Sequence, residues 1–61
     1  MPTFMIALRG YDIAEVNRWV EWAEHHPDQA RTVEPPKFNQ SLRGYARREV
    51  DEWIRGLRTP R

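Results

Sequence analysis

No cysteine occurs among the 61 residues, so neither a disulfide nor a thiolate zinc site can brace the fold. Glycine appears only three times, which leaves no glycine-rich loop to cradle a phosphate. The lone serine, Ser41, has no histidine near it in the chain, and no nucleophile–base–orienter set can be assembled. No apolar run approaches the ~20 residues that cross a bilayer. The stretch Phe4–Leu8 is too short for a secretory signal, and no basic segment precedes it. Together these absences argue against catalysis, a metal or a cofactor, and a soluble cytoplasmic chain is expected.

A second scarcity is length. A chain of this size buries only ~60% of the surface that its unfolded form exposes, and small scaffolds need some additional support. What is present supplies it in two ways. Seven aromatic residues (Phe4, Tyr11, Trp19, Trp22, Phe38, Tyr45, Trp53) offer a large apolar contact area. Self-association into a homo-oligomer is the other expected support. The charge is unevenly spread: residues 1–34 carry three Arg against six acids, and residues 35–61 carry seven Lys or Arg against three. An acidic half beside a basic half favours pairing of unlike halves.

The halves are related. FMIALRGYDIAEVNRWV at residues 4–20 aligns without a gap on FNQSLRGYARREVDEWI at residues 38–54, an offset of 34 with eight identities in seventeen positions. Internal repetition of this kind governs the rest of the reading. Each copy, 4–26 and 38–58, predicts a short strand ending at Leu8 or Leu42, a glycine turn, and one amphipathic helix. Phe4, Ile6 and Leu8 alternate onto one strand face. Gly10 and Gly44 are read as the turn, through their access to positive φ. Asp12 is the expected N-cap of the first helix, with Glu15 completing a capping box.

Val16, Trp19, Val20 and Ala23 then repeat at helical spacing, as do Val50, Trp53, Ile54 and Leu57. Gly56 weakens the last turn of the second helix. Residues 27–37, with three prolines, read as an extended linker. The expected architecture is one α+β domain over residues 1–61: a β-α-β-α tandem repeat with two short strands and two amphipathic helices. Its core is Phe4, Val16, Trp19, Val20, Phe38, Val50, Trp53 and Ile54, packed about a pseudo-twofold axis.

The repeated pattern Phe-x-x-x-Leu-Arg-Gly-Tyr-x-x-x-Glu-Val-Asn/Asp-x-Trp-Val/Ile resembles the amino-terminal domain of the DivIVA/GpsB cell-division family. Its tandem arrangement is similar to the short members of actinobacteria. The resemblance implies a non-catalytic adaptor for bacterial division or polar growth, acting at the septum or cell pole with division or cell-wall proteins as partners. It also implies two sites. A membrane-contacting tip falls on Leu8, Arg9, Leu42 and Arg43, which would bring the chain to the inner face of the membrane as a peripheral protein. A groove for an Arg-bearing peptide falls on Tyr11, Asn17 and Glu21 and on Tyr45 and Asp51, where Arg55 reverses a charge.

A plainer reading stands beside each site. It makes Leu8 and Leu42 strand-end core residues, their arginines tied to Glu15, Glu49 or helix carbonyls, and the groove charges a solvated helix surface. No heptads follow Leu57, so a compact adaptor is expected rather than a polymerising scaffold. The alternative function is nucleic-acid binding through Arg43, Arg47, Arg48, Arg55, Arg58 and Arg61, although Glu49, Asp51 and Glu52 interrupt any basic face. His25, His26 and Asp28 offer too few ligands for a metal.

Overall fold

The computed structural model describes residues 2–58; Arg61 and the residues flanking it lie outside that range. Seven elements follow in order: β1 (Ile6–Ala7), β2 (Gly10–Tyr11), α1 (Ile13–His25), α2 (Pro27–Thr32), β3 (Gln40–Ser41), β4 (Gly44–Tyr45) and α3 (Arg47–Arg58). They make a small mixed fold, a four-stranded antiparallel sheet with three helices. Two strands and two helices were expected, so the sheet is richer than the sequence pattern indicates.

The strand order is β1-β4-β2-β3, and every pairing joins a strand of one copy to a strand of the other. Ile6 sits opposite Tyr45, Gln40 opposite Tyr11, and the two tyrosines opposite each other. The Gly-Tyr pairs are therefore not turns: they are the central strands, and they cross. Neither glycine has a positive φ, which corrects the reading of Gly10 and Gly44 as left-handed turn residues. What requires glycine is proximity. A Cβ on Gly10 would strike the Tyr45 carbonyl oxygen and lie 2.8 Å from the Gly44 carbonyl carbon. One on Gly44 would strike the Tyr11 carbonyl oxygen and lie 2.6 Å from the Gly10 carbonyl carbon. Any side chain larger than hydrogen would push the crossing strands apart.

Helix α1 starts where its cap predicts, with the Glu15 N–H donating to Asp12 Oδ1 at 3.0 Å. The reciprocal half of the capping box does not form. Glu15 turns its carboxylate to the other copy, accepting from the Asn39 backbone N–H at 3.0 Å and from Asn39 Nδ2 at 2.8 Å. Glu49 does the same from α3, accepting from the Met5 backbone N–H at 2.8 Å. Backbone bonds reinforce both junctions: Asp12 N–H donates to the Asn39 carbonyl, and Ala46 N–H to the Met5 carbonyl. Each glutamate thus ties its helix to the chain entering the opposite strand.

The core cluster is Phe4, Val16, Val20, Val50 and Ile54, all buried. Trp19, Trp53, Phe38, Tyr11 and Tyr45 pack on it while keeping part of their surface exposed. Placing Trp19, Trp53 and Phe38 inside the core is therefore right in contact and too strong in burial. The two tryptophans meet edge to face, 6.4 Å apart at 85°. Each also meets a phenylalanine of the other copy, Trp19 with Phe38 and Trp53 with Phe4. The expected buried strand face fails, because Ile6 is half exposed and Leu8 almost fully so.

Residues 27–37 are not wholly extended either. Pro27 opens α2, Asp28 follows in its first turn and Arg31 lies in its last. Proline at the first helical position has the required φ and loses no hydrogen bond there. Ala30 is buried, as is Ala23 on α1, and α2 packs against both α1 and α3. The segment is a covering element as well as a connection.

Candidate functional site

Two surfaces concentrate the residues singled out from the sequence. The first is the tip formed where the copies cross. The Ala7–Gly44 and Gly10–Ser41 pairs flank the two connections, Leu8–Arg9 and Leu42–Arg43, which therefore leave the sheet at the same end. Arg9, Gln40, Ser41 and Leu42 line a shared shallow recess there. The four tip residues thus lie at one end of the sheet. Leu8 is 83% exposed and Leu42 76%, which overturns their assignment to the core.

The alternative arginine partners are also excluded. Glu15 and Glu49 are engaged with backbone of the opposite copy, and among the described residues neither the Arg9 nor the Arg43 guanidinium has a hydrogen-bond or ion-pair partner. Ser41 Oγ donates to the Arg43 carbonyl at 2.7 Å and braces the second loop. The first has Ala7 at the equivalent position and lacks that brace. Apolar exposure continues from this tip along the β1 edge through Ile6 and Met5, the latter 69% exposed. Gln40 and Asn39 occupy the corresponding places on the β3 edge.

The second surface holds the groove candidates, and here the structure regroups them. Tyr11 does not meet Asn17; its hydroxyl donates to Asp51 Oδ1 at 2.9 Å. Tyr45 donates to Asn17 Oδ1 at 2.8 Å. Each tyrosine reaches across to the helix of the other copy. Glu21 joins neither pair and stands exposed on α1. The Tyr11–Asp51 side is further narrowed by the chain itself, because Pro35, Pro36, Lys37 and Phe38 line the same recess. Asp51 also faces Arg48, Glu52 and Arg55 on α3. An incoming arginine would compete with the Tyr11 hydroxyl for Asp51.

Burial raises the Tyr11 phenol above its ordinary pKa of about 10, and the hydrogen bond and negative charge of Asp51 add to the rise while Arg47 opposes it. The sign of the consequence is fixed. A phenol that holds its proton more tightly when folded contributes in full below pH ~10, and that contribution disappears as the pH climbs towards the folded value. Urea titrations at neutral pH and above pH 10 should therefore show a steeper alkaline decline for the parent than for Tyr11→Phe. The expected difference is about 1 kcal/mol or less for this partly exposed bond. Identical declines would mean that the Tyr11–Asp51 bond contributes nothing.

The remaining candidates are placed plainly. His25 and His26 each use Nδ1 on a carbonyl of their own helix, Glu21 and Trp22 respectively. Arg47 and Arg48, then Arg55 and Arg58, flank the acids Glu49, Asp51 and Glu52 on α3, and Arg48, Asp51, Glu52 and Arg55 share one shallow recess. Among the described residues, acids thus interrupt the basic groups that the nucleic-acid alternative invokes on this part of α3. Among the described residues no helix is long and apolar enough to cross a membrane.

Two groups of functional interest escaped the sequence reading. The glutamate clamps had a signal, since Glu15 and Glu49 are identical between copies that otherwise differ in most polar positions. A recess of Trp19, Trp22, Arg18, Phe38 and Pro36 had none, because it joins α1 to a segment read as linker. Comparison with protein-family models, with curated proteins and with solved structures finds no match for this chain.

Proposed function

We propose that this protein is a non-catalytic interaction module of the DivIVA/GpsB kind, serving bacterial division or polar growth. Its crossed Leu-Arg tip rests on the membrane and its helix faces contact protein partners. The observation that carries the reading is the exposure of Leu8 and Leu42 beside two arginines that have no partner among the described residues. Nothing in folding accounts for that arrangement, since burying both leucines would stabilise the fold and pairing both arginines would cost little.

The repeat supports the same reading. The cross-copy contacts come in pairs that exchange under the offset of 34: Met5–Glu49 with Asn39–Glu15, and Tyr11–Asp51 with Tyr45–Asn17. We read the fold as two equivalent halves about a local twofold axis, a dimer fused into one chain. Self-association of the whole, through the apolar β1 edge, would multiply the tips.

The energetics favour weak, additive contact. A leucine transferred fully from water gains about 2 kcal/mol, and each arginine near an anionic surface about 1 kcal/mol. One tip therefore binds reversibly, and stable attachment needs several tips acting together. Co-sedimentation with vesicles tests this. The parent should pellet with phosphatidylglycerol vesicles at low salt and far less with phosphatidylcholine. Leu8→Ser/Leu42→Ser should reduce the bound fraction about tenfold or more, with its melting unchanged because both sites are exposed. Equal pelleting of parent and variant, or none by the parent, discards the membrane contact.

A further inference from the structure

We infer that the recess between α1 and the Pro35–Phe38 segment is a docking site for an extended, proline-containing peptide of a partner protein that carries an acidic residue. This deepens the protein-contact half of the proposed function and is independent of the tip. The recess, about 390 Å³, is lined by Glu15, Arg18, Trp19, Trp22, Pro36 and Phe38, a volume within the range of ligand-binding clefts.

Its walls are aromatic and held in place. The Trp19 and Trp22 rings lie 6.1 Å apart at 45°, and Trp19 meets Phe38 at 6.4 Å and 79°. One face of Trp22 is stacked on His26 at 5.2 Å and 19°, and the His26 ring is itself anchored to the Trp22 carbonyl. Tilted aromatic rings leave wedge-shaped gaps that a rigid pyrrolidine fills without losing side-chain freedom. The chain's own Pro36 already forms one wall of the recess, so the site is built to border a pyrrolidine ring.

The polar groups select the same ligand. Both Glu15 oxygens accept from Asn39, so the acceptor on the rim is occupied. The donors are open: among the described residues neither tryptophan indole N–H nor the Arg18 guanidinium has a hydrogen-bond partner. A site rich in donors and poor in acceptors suits a ligand rich in acceptors and poor in donors. Proline-rich backbone has that character, because it keeps every carbonyl and lacks the proline N–H groups. The remaining charge on the rim is that of Arg18, which calls for an acid in the ligand. The second copy cannot offer this site: Gly56 stands where Trp22 does, and a Cβ there would meet nothing within 4 Å.

The test is a titration of the full chain with a short synthetic peptide of Pro-Pro-Asp units, followed through the three indole N–H resonances. Saturable shifts of Trp19 and Trp22, with Trp53 unmoved, are expected. Trp22→Gln should weaken binding by at least about tenfold, and Arg18→Glu, exposed and safe for folding, should weaken it while favouring a Pro-Pro-Lys peptide. An equal response to an Ala-Ala-Asp peptide, or none to the proline peptide, overturns the proposal. Shifts produced by diluting the protein alone would assign the recess to a second copy and overturn it too. The Leu8→Ser/Leu42→Ser variant should bind the peptide as the parent does, so failure at the tip and failure at the recess are read separately.

Discussion

Gly44→Ala is expected to abolish cooperative folding near room temperature, at a cost of about 3 kcal/mol or more. A chain of 61 residues has roughly 3–9 kcal/mol of stability in total, so a loss of this size removes much or all of it. The new methyl would meet the Tyr11 carbonyl oxygen and the backbone of Gly10. Neither is the movable end of a side chain. Relief would need the central strands to separate, breaking the Tyr11–Tyr45 pairing and loosening its neighbours.

Gly10→Ala should behave alike, because its methyl would strike the same crossing from the other side. The double variant should then cost less than the two singles together, since strands already parted by one methyl can accept the second. Thermal melts and urea curves of the three variants check this. A Gly44→Ala protein that melts cooperatively within a few degrees of the parent would show that the strands do not approach as described. Gly56→Ala is the internal control, since nothing lies near its missing Cβ.

Trp53→Ala is expected to cost about 3 kcal/mol, the low end for a core tryptophan, because part of the ring faces solvent. The indole is packed edge-on to Trp19 and to Phe4 and covers the valine and isoleucine cluster from one side. Truncation removes two aromatic contacts that span the copies and opens Val16, Val50 and Ile54 to water. Trp53→Phe keeps a ring in place and should lose less than half as much. A Trp53→Ala variant with the parent's urea midpoint would refute the role of the tryptophan seam in stability.

How much of this was readable beforehand differs by element. The helical faces of α1 and α3 were, because Val16, Val20, Val50 and Ile54 recur at the spacing that one buried stripe demands. The Asp12 cap was readable for the same local reason. Strand topology was not: each strand has two residues, too few to express a period, and a pattern of burial does not say which strand is a neighbour. Gly10 and Gly44 were recognised as special for the wrong reason, since a glycine needed for closeness and one needed for positive φ look alike in a sequence. Pro27 reads as part of a linker, although proline also starts helices, as it does here.

At the candidate site, the resemblance picks out Leu8, Arg9, Leu42 and Arg43, of which both leucines are exposed. It could not say that Tyr11 would reach Asp51 rather than Asn17, because the choice of partner depends on which copy lies opposite. The recess around Trp22 depends on tertiary placement of the proline segment and left no periodic trace.

The order of the strands has a kinetic consequence. Connections of two residues, Leu8–Arg9 and Leu42–Arg43, join strands that are separated in the sheet by a strand from the other copy. No hairpin can therefore zip from a local turn. The sheet nucleates only once segments 29 or more residues apart have met, with the loop-closure entropy that such an encounter costs. Helices form on a sub-microsecond to microsecond scale, so α1 and α3 should precede the sheet, and the chain should fold slowly for its length.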